Sequence, residues 1–361
     1  MTKPAIKKPA MNRPVLMVMA GCALLAIAAW LLAMVLTGGP EDYAERYAGQ
    51  SAPDDSASAA GAMSSSPRPS ASASSASPSS SESGQAAAPA SAPATAAPPR
   101  SAIPDNEFGE LVRQGERIFA DPGQFASDWV GNDLSCQNCH FDAGRYDKTA
   151  SLRSAWPMYP AYRSKNQHVN DFAERLQGCF TYSMNGKAPP RDGEVIQALQ
   201  AYSFWLAKGM PTGEAPDVRG YPDVGDPPEP PSFARGETVF QEHCALCHGD
   251  DGQGQKAAGG APGFPPLWGP RSYNWGAGMH RVNTAAAFIK AAMPLGKPDV
   301  TDQQAWDVAL FINSHERPQD PRFTGSVQDT AERFHQHQGQ YGKTVNGQVL
   351  GEHSPPSGTV P

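Results

Sequence analysis

The chain has 361 residues, with 29 lysines and arginines against 36 aspartates and glutamates, a formal net charge of -7. That acidic balance excludes a general nucleic-acid binder, whose footprint is a basic surface. The globular part is shorter than the chain, because a long N-terminal stretch has a composition that cannot build a core.

Residues 1–14 carry Lys3, Lys7, Lys8 and Arg13, and Val15 to Leu36 then run for 22 residues without a charge. At helical rise the run spans roughly 33 Å, enough for a hydrocarbon core of roughly 30 Å. Glu41, Asp42 and Glu45 follow it, so the leading positive charge keeps residues 1–14 in the cytoplasm and exports the rest. The alternative is a cleaved signal peptide, whose apolar region is only about 7 to 15 residues. The longer run favours an uncleaved anchor over 15–36, giving a single-pass protein of the inner membrane with its folded part in the periplasm. Cys22 is then a lipid-facing or packed thiol.

Residues 37–103 read as a disordered linker. Of the 50 residues from Ser51 to Arg100, 40 are Ala, Ser or Pro and none is Phe, Trp or Tyr. Such a segment cannot bury enough apolar surface to offset its ordering entropy. As a random coil of that length it has an average reach of about 40 Å.

Two small domains follow, at 104–220 and 231–322, separated by a Pro-rich linker at 221–230. Both repeat one plan. A leading helix carries Gly115-x-x-x-Phe119 in the first and Gly236-x-x-x-Phe240 in the second, a small residue for close helix crossing and an aromatic to fill the contact. A closing amphipathic helix ends each domain. In the first, Val195, Leu199, Tyr202 and Leu206 recur at spacings of three and four, with Asp192 as the expected N-cap and Gly209 as the stop. In the second, Thr301 and Gln304 make a capping box ahead of Trp306, Ala309 and Leu310. A Cys-x-x-Cys-His follows each leading helix, at Cys136 and at Cys244, so the predicted class is all-α, two class I cytochrome c-like domains behind a transmembrane helix and a linker. The C-terminal extension, 323–361, becomes rich in Gly, Ser and Pro after about Gln338 and is expected to be partly disordered.

The chain contains six cysteines, Cys22, Cys136, Cys139, Cys179, Cys244 and Cys247. Four of them form two Cys-x-x-Cys pairs, each followed at once by histidine: Cys136, Cys139, His140 and Cys244, Cys247, His248. That is the pattern for covalent attachment of haem c, with two thiols for the two vinyl groups and the adjacent His as proximal iron ligand. A zinc or redox pair does not need the following His, which occurs here twice. The expected cofactors are therefore two covalently bound haems c.

For the second haem, Met293 lies 45 residues after His248, and a thioether there gives a His/Met iron of raised potential. Met279 is its rival. For the first, Met184 lies at the equivalent spacing, 44 residues after His140. Against it stands Cys179, an odd exported thiol whose thiolate would be a strong anionic ligand. Residue chemistry alone leaves both candidates standing.

At these residues the sequence resembles the bacterial di-haem thiosulfate dehydrogenases, the tetrathionate-forming enzymes. The likeness lies in Tyr159-Pro-Ala-Tyr-Arg163, Arg175-Leu-Gln-Gly-Cys179-Phe, Ser183-Met-Asn-Gly, Phe264-Pro-Pro-Leu-Trp-Gly and Gly276-Ala-Gly-Met279. The string Arg-x-x-x-Cys-Phe-x-x-Ser-Met-Asn-Gly is far more specific than Cys-x-x-Cys-His. The resemblance implies that Cys179 is the distal ligand of the catalytic haem, opposite His140. Some relatives place an alternative lysine ligand just before the methionine of the electron-transfer haem. Ala292 stands here, so the resemblance implies a fixed His248/Met293 pair.

The implied reaction joins two thiosulfate dianions through a new sulfur–sulfur bond and removes two electrons. Between Ala143 and Arg191 there are eight basic residues (Arg145, Lys148, Arg153, Arg163, Lys165, Arg175, Lys187 and Arg191) and three acidic ones. Such a cluster suits small oxyanions. Arg163 and Arg175 match the family's substrate arginines, Ser183 its nearby hydroxyl, and Lys165 is their neighbour. Electrons would pass to a soluble c-type cytochrome or a membrane oxidase. The rival readings are a non-catalytic di-haem carrier to a terminal oxidase, with Met184 on the first iron, and the haem-thiolate subunit of the multienzyme thiosulfate-oxidising system.

Overall fold

The computed structural model describes residues 96–163, 165–213, 219–255, 263–337 and 339–358. The N-terminal tail, the expected anchor at 15–36 and all but the last residues of the linker at 37–103 lie outside them. Among the described residues no helix is long and apolar enough to cross a membrane.

The elements that position the site are, in chain order, helix α1 (Glu107–Ala120), strands β1 (Ala161–Arg163) and β2 (His168–Asn170), and helices α2 (Phe172–Gly178) and α3 (Glu194–Leu206). Then come α4 (Phe233–His243), α5 (Val282–Ala292), α6 (Asp302–Asn313), α7 (Val327–Phe334) and strands β3 (Thr344–Val345) and β4 (Gln348–Val349). Asn106 starts α1 by accepting the Gly109 N–H at 3.0 Å, and Glu107 and Glu110 complement the positive end of the helix.

The internal repeat is real at atomic scale. A Cβ added to Gly115 would lie 2.1 Å from the Ala198 carbonyl oxygen on α3, and one added to Gly236 would lie 2.1 Å from the Asp307 carbonyl oxygen on α6. In both domains the leading helix therefore touches the backbone of the closing helix, with Phe119 and Phe240 buried beside the crossing. Thr301 and Gln304 form the expected capping box, the hydroxyl accepting at 3.2 Å and the amide oxygen at 2.8 Å. The start of α3 differs from expectation. Gly193 is its cap, and Asp192 instead offers its carbonyl to Gln197 at 2.7 Å. The helix stops at Leu206, two residues short of the segment before Gly209.

Val112, Phe119, Leu176, Leu199 and Tyr202 belong to one apolar core, and Phe240, Trp268, Phe288, Trp306 and Phe311 to a second. Met279 packs against both, and Phe288 meets Phe141 and Tyr221 at ring separations of 5.7 and 5.4 Å. Both cores lie within one compact unit from Ala86 to Pro361.

Two features depart from the all-α expectation. β1 and β2 form an antiparallel hairpin that sets Arg163 opposite His168, and β3 and β4 form another. The C-terminal extension is also folded over its described residues. Tyr341 and Leu350 pack on the fully buried Trp275, whose indole donates to Ser354 Oγ at 2.9 Å, and the Gly358 N–H reaches Asn185 Oδ1 at 3.2 Å. Its glycines make turns: Gly342, Gly347 and Gly351 all have positive φ, the region glycine enters without steric cost. Composition alone does not distinguish such a chain of turns from disorder.

Candidate haem and substrate site

Each attachment motif sits on a short turn after its leading helix. His140 Nδ1 is 2.8 Å from the Ala150 carbonyl, and His248 Nδ1 is 2.9 Å from that of Pro265. A carbonyl only accepts, so each Nδ1 carries the proton and each Nε2 keeps a lone pair for a metal, the tautomer that a proximal iron ligand requires. Burial pushes the Cys139 and Cys244 thiols up to about 12, and Cys136 rises further still. These thiols fit sulfurs destined for neutral thioether links to haem vinyl groups.

Helix α2 begins where Asp171 accepts the Glu174 N–H at 2.9 Å, and Phe172, Ala173 and Leu176 bury its inner face. At Cys179 the helix widens into a π turn over Cys179–Ser183, closed by the Met184 N–H on the Cys179 carbonyl at 3.0 Å. Such turns recur at functional sites because they re-aim one side chain without breaking the helix. One turn earlier, Arg175 Nη1 donates to Cys179 Sγ at 2.8 Å. Its guanidinium is held further toward the charged form, first by Cys179 and against the opposing effect of burial. Cys179 also lies close enough to Cys136 and Cys139 to raise both thiols. Met184, its competitor, is buried to 2% exposure in the first core. Met293 is half-buried beside the second core, immediately after the buried Ala292 at the end of α5.

Six of the eight expected basic residues divide into two groups. Arg145 pairs with Asp142, Arg153 with Asp147 and Arg191 with Asp171, so these three are held by carboxylates. From the β1–β2 hairpin, Lys165 comes near Arg175 and Arg163 near Arg281. Lys165 Nζ donates to the Gly276 carbonyl and lies 3.6 Å from the centre of the Tyr182 ring. Its ammonium is pushed down to about 7, first by burial and then by Arg322, Arg175 and Arg281, while Asp320 opposes the shift. Arg281 is near enough to Arg163 and Arg322 to be lowered by both, after burial. Arg281 and Arg322 thus join Arg163, Lys165 and Arg175, and sequence reasoning missed them because both come from the second domain. Ser183 is exposed at the end of the π turn, its carbonyl fixed by Asn132 Nδ2 at 2.8 Å.

Residues 123–212 match the SoxA/TsdA cytochrome c domain, and residues 233–316 match cytochrome c. The thiosulfate dehydrogenase of Stutzerimonas stutzeri (strain A1501) is 54% identical over 259 residues, covering 71% of this chain and 84% of that protein. The chain belongs to the thiosulfate dehydrogenase family. A second member, from Thiomonas intermedia (strain K12), is 51% identical over 257 residues, 71% of this chain and 82% of its own. Among solved structures, the as-isolated thiosulfate dehydrogenase TsdBA of Marichromatium purpuratum superposes with a TM-score of 0.69 at 52% identity. The match covers 72% of this chain and 57% of that longer one. The two cytochrome c domains carry covalently bound c-type haem, and each contains one Cys-x-x-Cys-His motif.

Proposed function

We propose that this chain is a thiosulfate dehydrogenase, joining two thiosulfate dianions into tetrathionate with release of two electrons to a cytochrome or oxidase acceptor. The observation that carries the reading is the 2.8 Å contact of Arg175 on Cys179 Sγ, in the same pocket as Cys136 and Cys139 and beside the cluster of Arg163, Lys165, Arg281 and Arg322. An N–H donor on a fixed cation suits a sulfur carrying negative charge. That supports Cys179 as distal ligand of the first haem, with His140 opposite, and it leaves Met184 to the core. For the second haem we assign His248 and Met293. When bound, the haems supply one-electron oxidation and a path outward.

The chain's own residues do the rest. Two dianions repel each other in water, and the cluster lowers that cost by surrounding them with fixed positive charge and N–H donors. Arg163 and Arg175 bind and orient the sulfonate ends, Lys165 adds a third cation from the hairpin, and Ser183 offers a hydroxyl at the rim. Tetrathionate reduction is the same path run backwards through the same residues. We further place the chain in the inner membrane through residues 15–36, with both haem domains in the periplasm. The basic N-terminus, the uncharged run and the Ala/Ser/Pro linker support this.

The test uses purified protein with thiosulfate and an artificial electron acceptor. Cys179→Ala should keep both haems yet lose turnover by on the order of 100-fold or more. Electron paramagnetic resonance of the oxidised wild type should show a thiolate-type iron that the variant lacks. Retained turnover in Cys179→Ala, or an unchanged spectrum, sinks the assignment.

A further inference from the structure

His280, His335 and His337 converge where the C-terminal extension meets the second domain. One ligand nitrogen from each lies within 4.8 Å of the other two. His280 ends a short turn before α5, His335 caps α7, and His337 follows on the next turn. His280 is 2% exposed and His335 is 8% exposed. The Nδ1 atoms of all three are buried and have no hydrogen-bond partner among the described residues. A buried ring nitrogen without a partner is costly, and three at one point call for an occupant.

The surroundings fix the rings as ligands. His335 Nε2 donates to Asp320 Oδ2 at 3.0 Å, which puts the proton on Nε2 and leaves the Nδ1 lone pair toward its neighbours. A carboxylate behind an imidazole is the usual outer partner of a metal-bound histidine. The His335 ring is further held by stacking on Tyr341 at 4.4 Å. His280 meets His335 edge-on at 76° and His337 at a tilt of 52°, so neither pair is stacked. Space is kept open by Gly339, where a Cβ would lie 3.2 Å from His280 Nδ1 and 3.5 Å from His337 Nδ1.

We propose that these three histidines bind one zinc-class divalent ion, a metal clip that fastens the C-terminal extension to the second haem domain. Three neutral imidazoles are a zinc ligand set, and the fourth tetrahedral position stays open. Nitrogens around such an ion stand roughly 3.4 Å apart, so binding draws the rings inward, with His337 on its turn moving most. Arg281, Arg317 and Arg322 lie nearby and oppose a cation. Asp320 offsets part of that charge, and the arginines favour an anionic fourth ligand such as hydroxide. Because two ligands belong to the extension and one to the domain, ion binding is also folding energy for the extension.

The experiment takes the full chain with both haems attached and no histidine tag. It strips the protein with a chelator, then titrates it with zinc chloride against a chromophoric competitor. The result expected is one zinc per chain beyond the haem iron, and a rise in the melting temperature on adding zinc. His337→Ala, with an unchanged haem spectrum as its folding control, should bind zinc at least ten-fold more weakly and lose the thermal shift. Wild-type protein that takes up no stoichiometric zinc overturns the proposal, whatever the variant does. Undiminished binding in His337→Ala overturns it as well.

Discussion

Arg175 stands one helical turn before Cys179, so a spacing of four residues on one helix brings a cation and a thiol together. The sequence carried the two residues only as part of a motif, and the helix that aligns them came from the structure. Lys165 was legible only as a neighbour of Arg163; its buried place over Tyr182 is a tertiary fact. Burial with Arg322, Arg175 and Arg281 pushes its ammonium down to about 7, so it is charged below that pH and neutral above it. Thiosulfate stays a dianion through this range. The value of kcat/KM, which reports the free enzyme, should therefore fall as the pH rises through about 7. Lys165→Arg keeps its charge and should flatten the profile. A wild-type profile that is level across this range would remove Lys165 from substrate binding. The His280, His335 and His337 cluster had one sequence signal, the His-x-His spacing of the last two. The third ligand lies on another element, and no spacing rule connects it.

At the scale of elements, the repeated glycine crossing is the strongest structural inference the sequence carried. Gly115 and Gly236 each leave no room for a methyl group, because the obstacle is a backbone carbonyl that cannot rotate away. Gly115→Ala and Gly236→Ala should each destabilise their domain by about 1–3 kcal/mol through overpacking. The check is a urea denaturation followed by tryptophan fluorescence, and midpoints equal to wild type would mean the helices part at no cost. Capping was legible where the side chains did the work, as in Thr301 and Gln304. It was not legible at α3, where glycine caps with backbone alone. The π turn at Cys179 had no sequence signature, since its widening depends on where Met184 and Gly186 are drawn by the packing around them.

For the whole molecule, the extension is part of the fold. Arg322 pairs with Asp320 at 2.6 Å within the second domain and lies 4.2 Å from the centre of the Phe334 ring on α7, so the extension adds to its brace. Deleting residues 327–361 uncovers Trp275 and strips the indole of its Ser354 acceptor. We expect a loss of about 3 kcal/mol or more from the exposed aromatic surface and the broken bond. A fall in kcat/KM should accompany it as Arg322 loses Phe334. A truncated chain with the stability and kinetics of the full one would show that the extension is a passive cover.

The sequence by itself determined what depends on local spacing: the two haem-attachment motifs, and the leading and closing helices with the glycine of each leading helix. Each is set within one or two turns of chain, where geometry follows directly from residue order. Only the tertiary structure decided which cations gather around Cys179, which are held by carboxylates, that the extension folds, and that three distant histidines meet. Those outcomes depend on how separate elements pack, and packing brings together residues whose order along the chain carries no record of their distance in space.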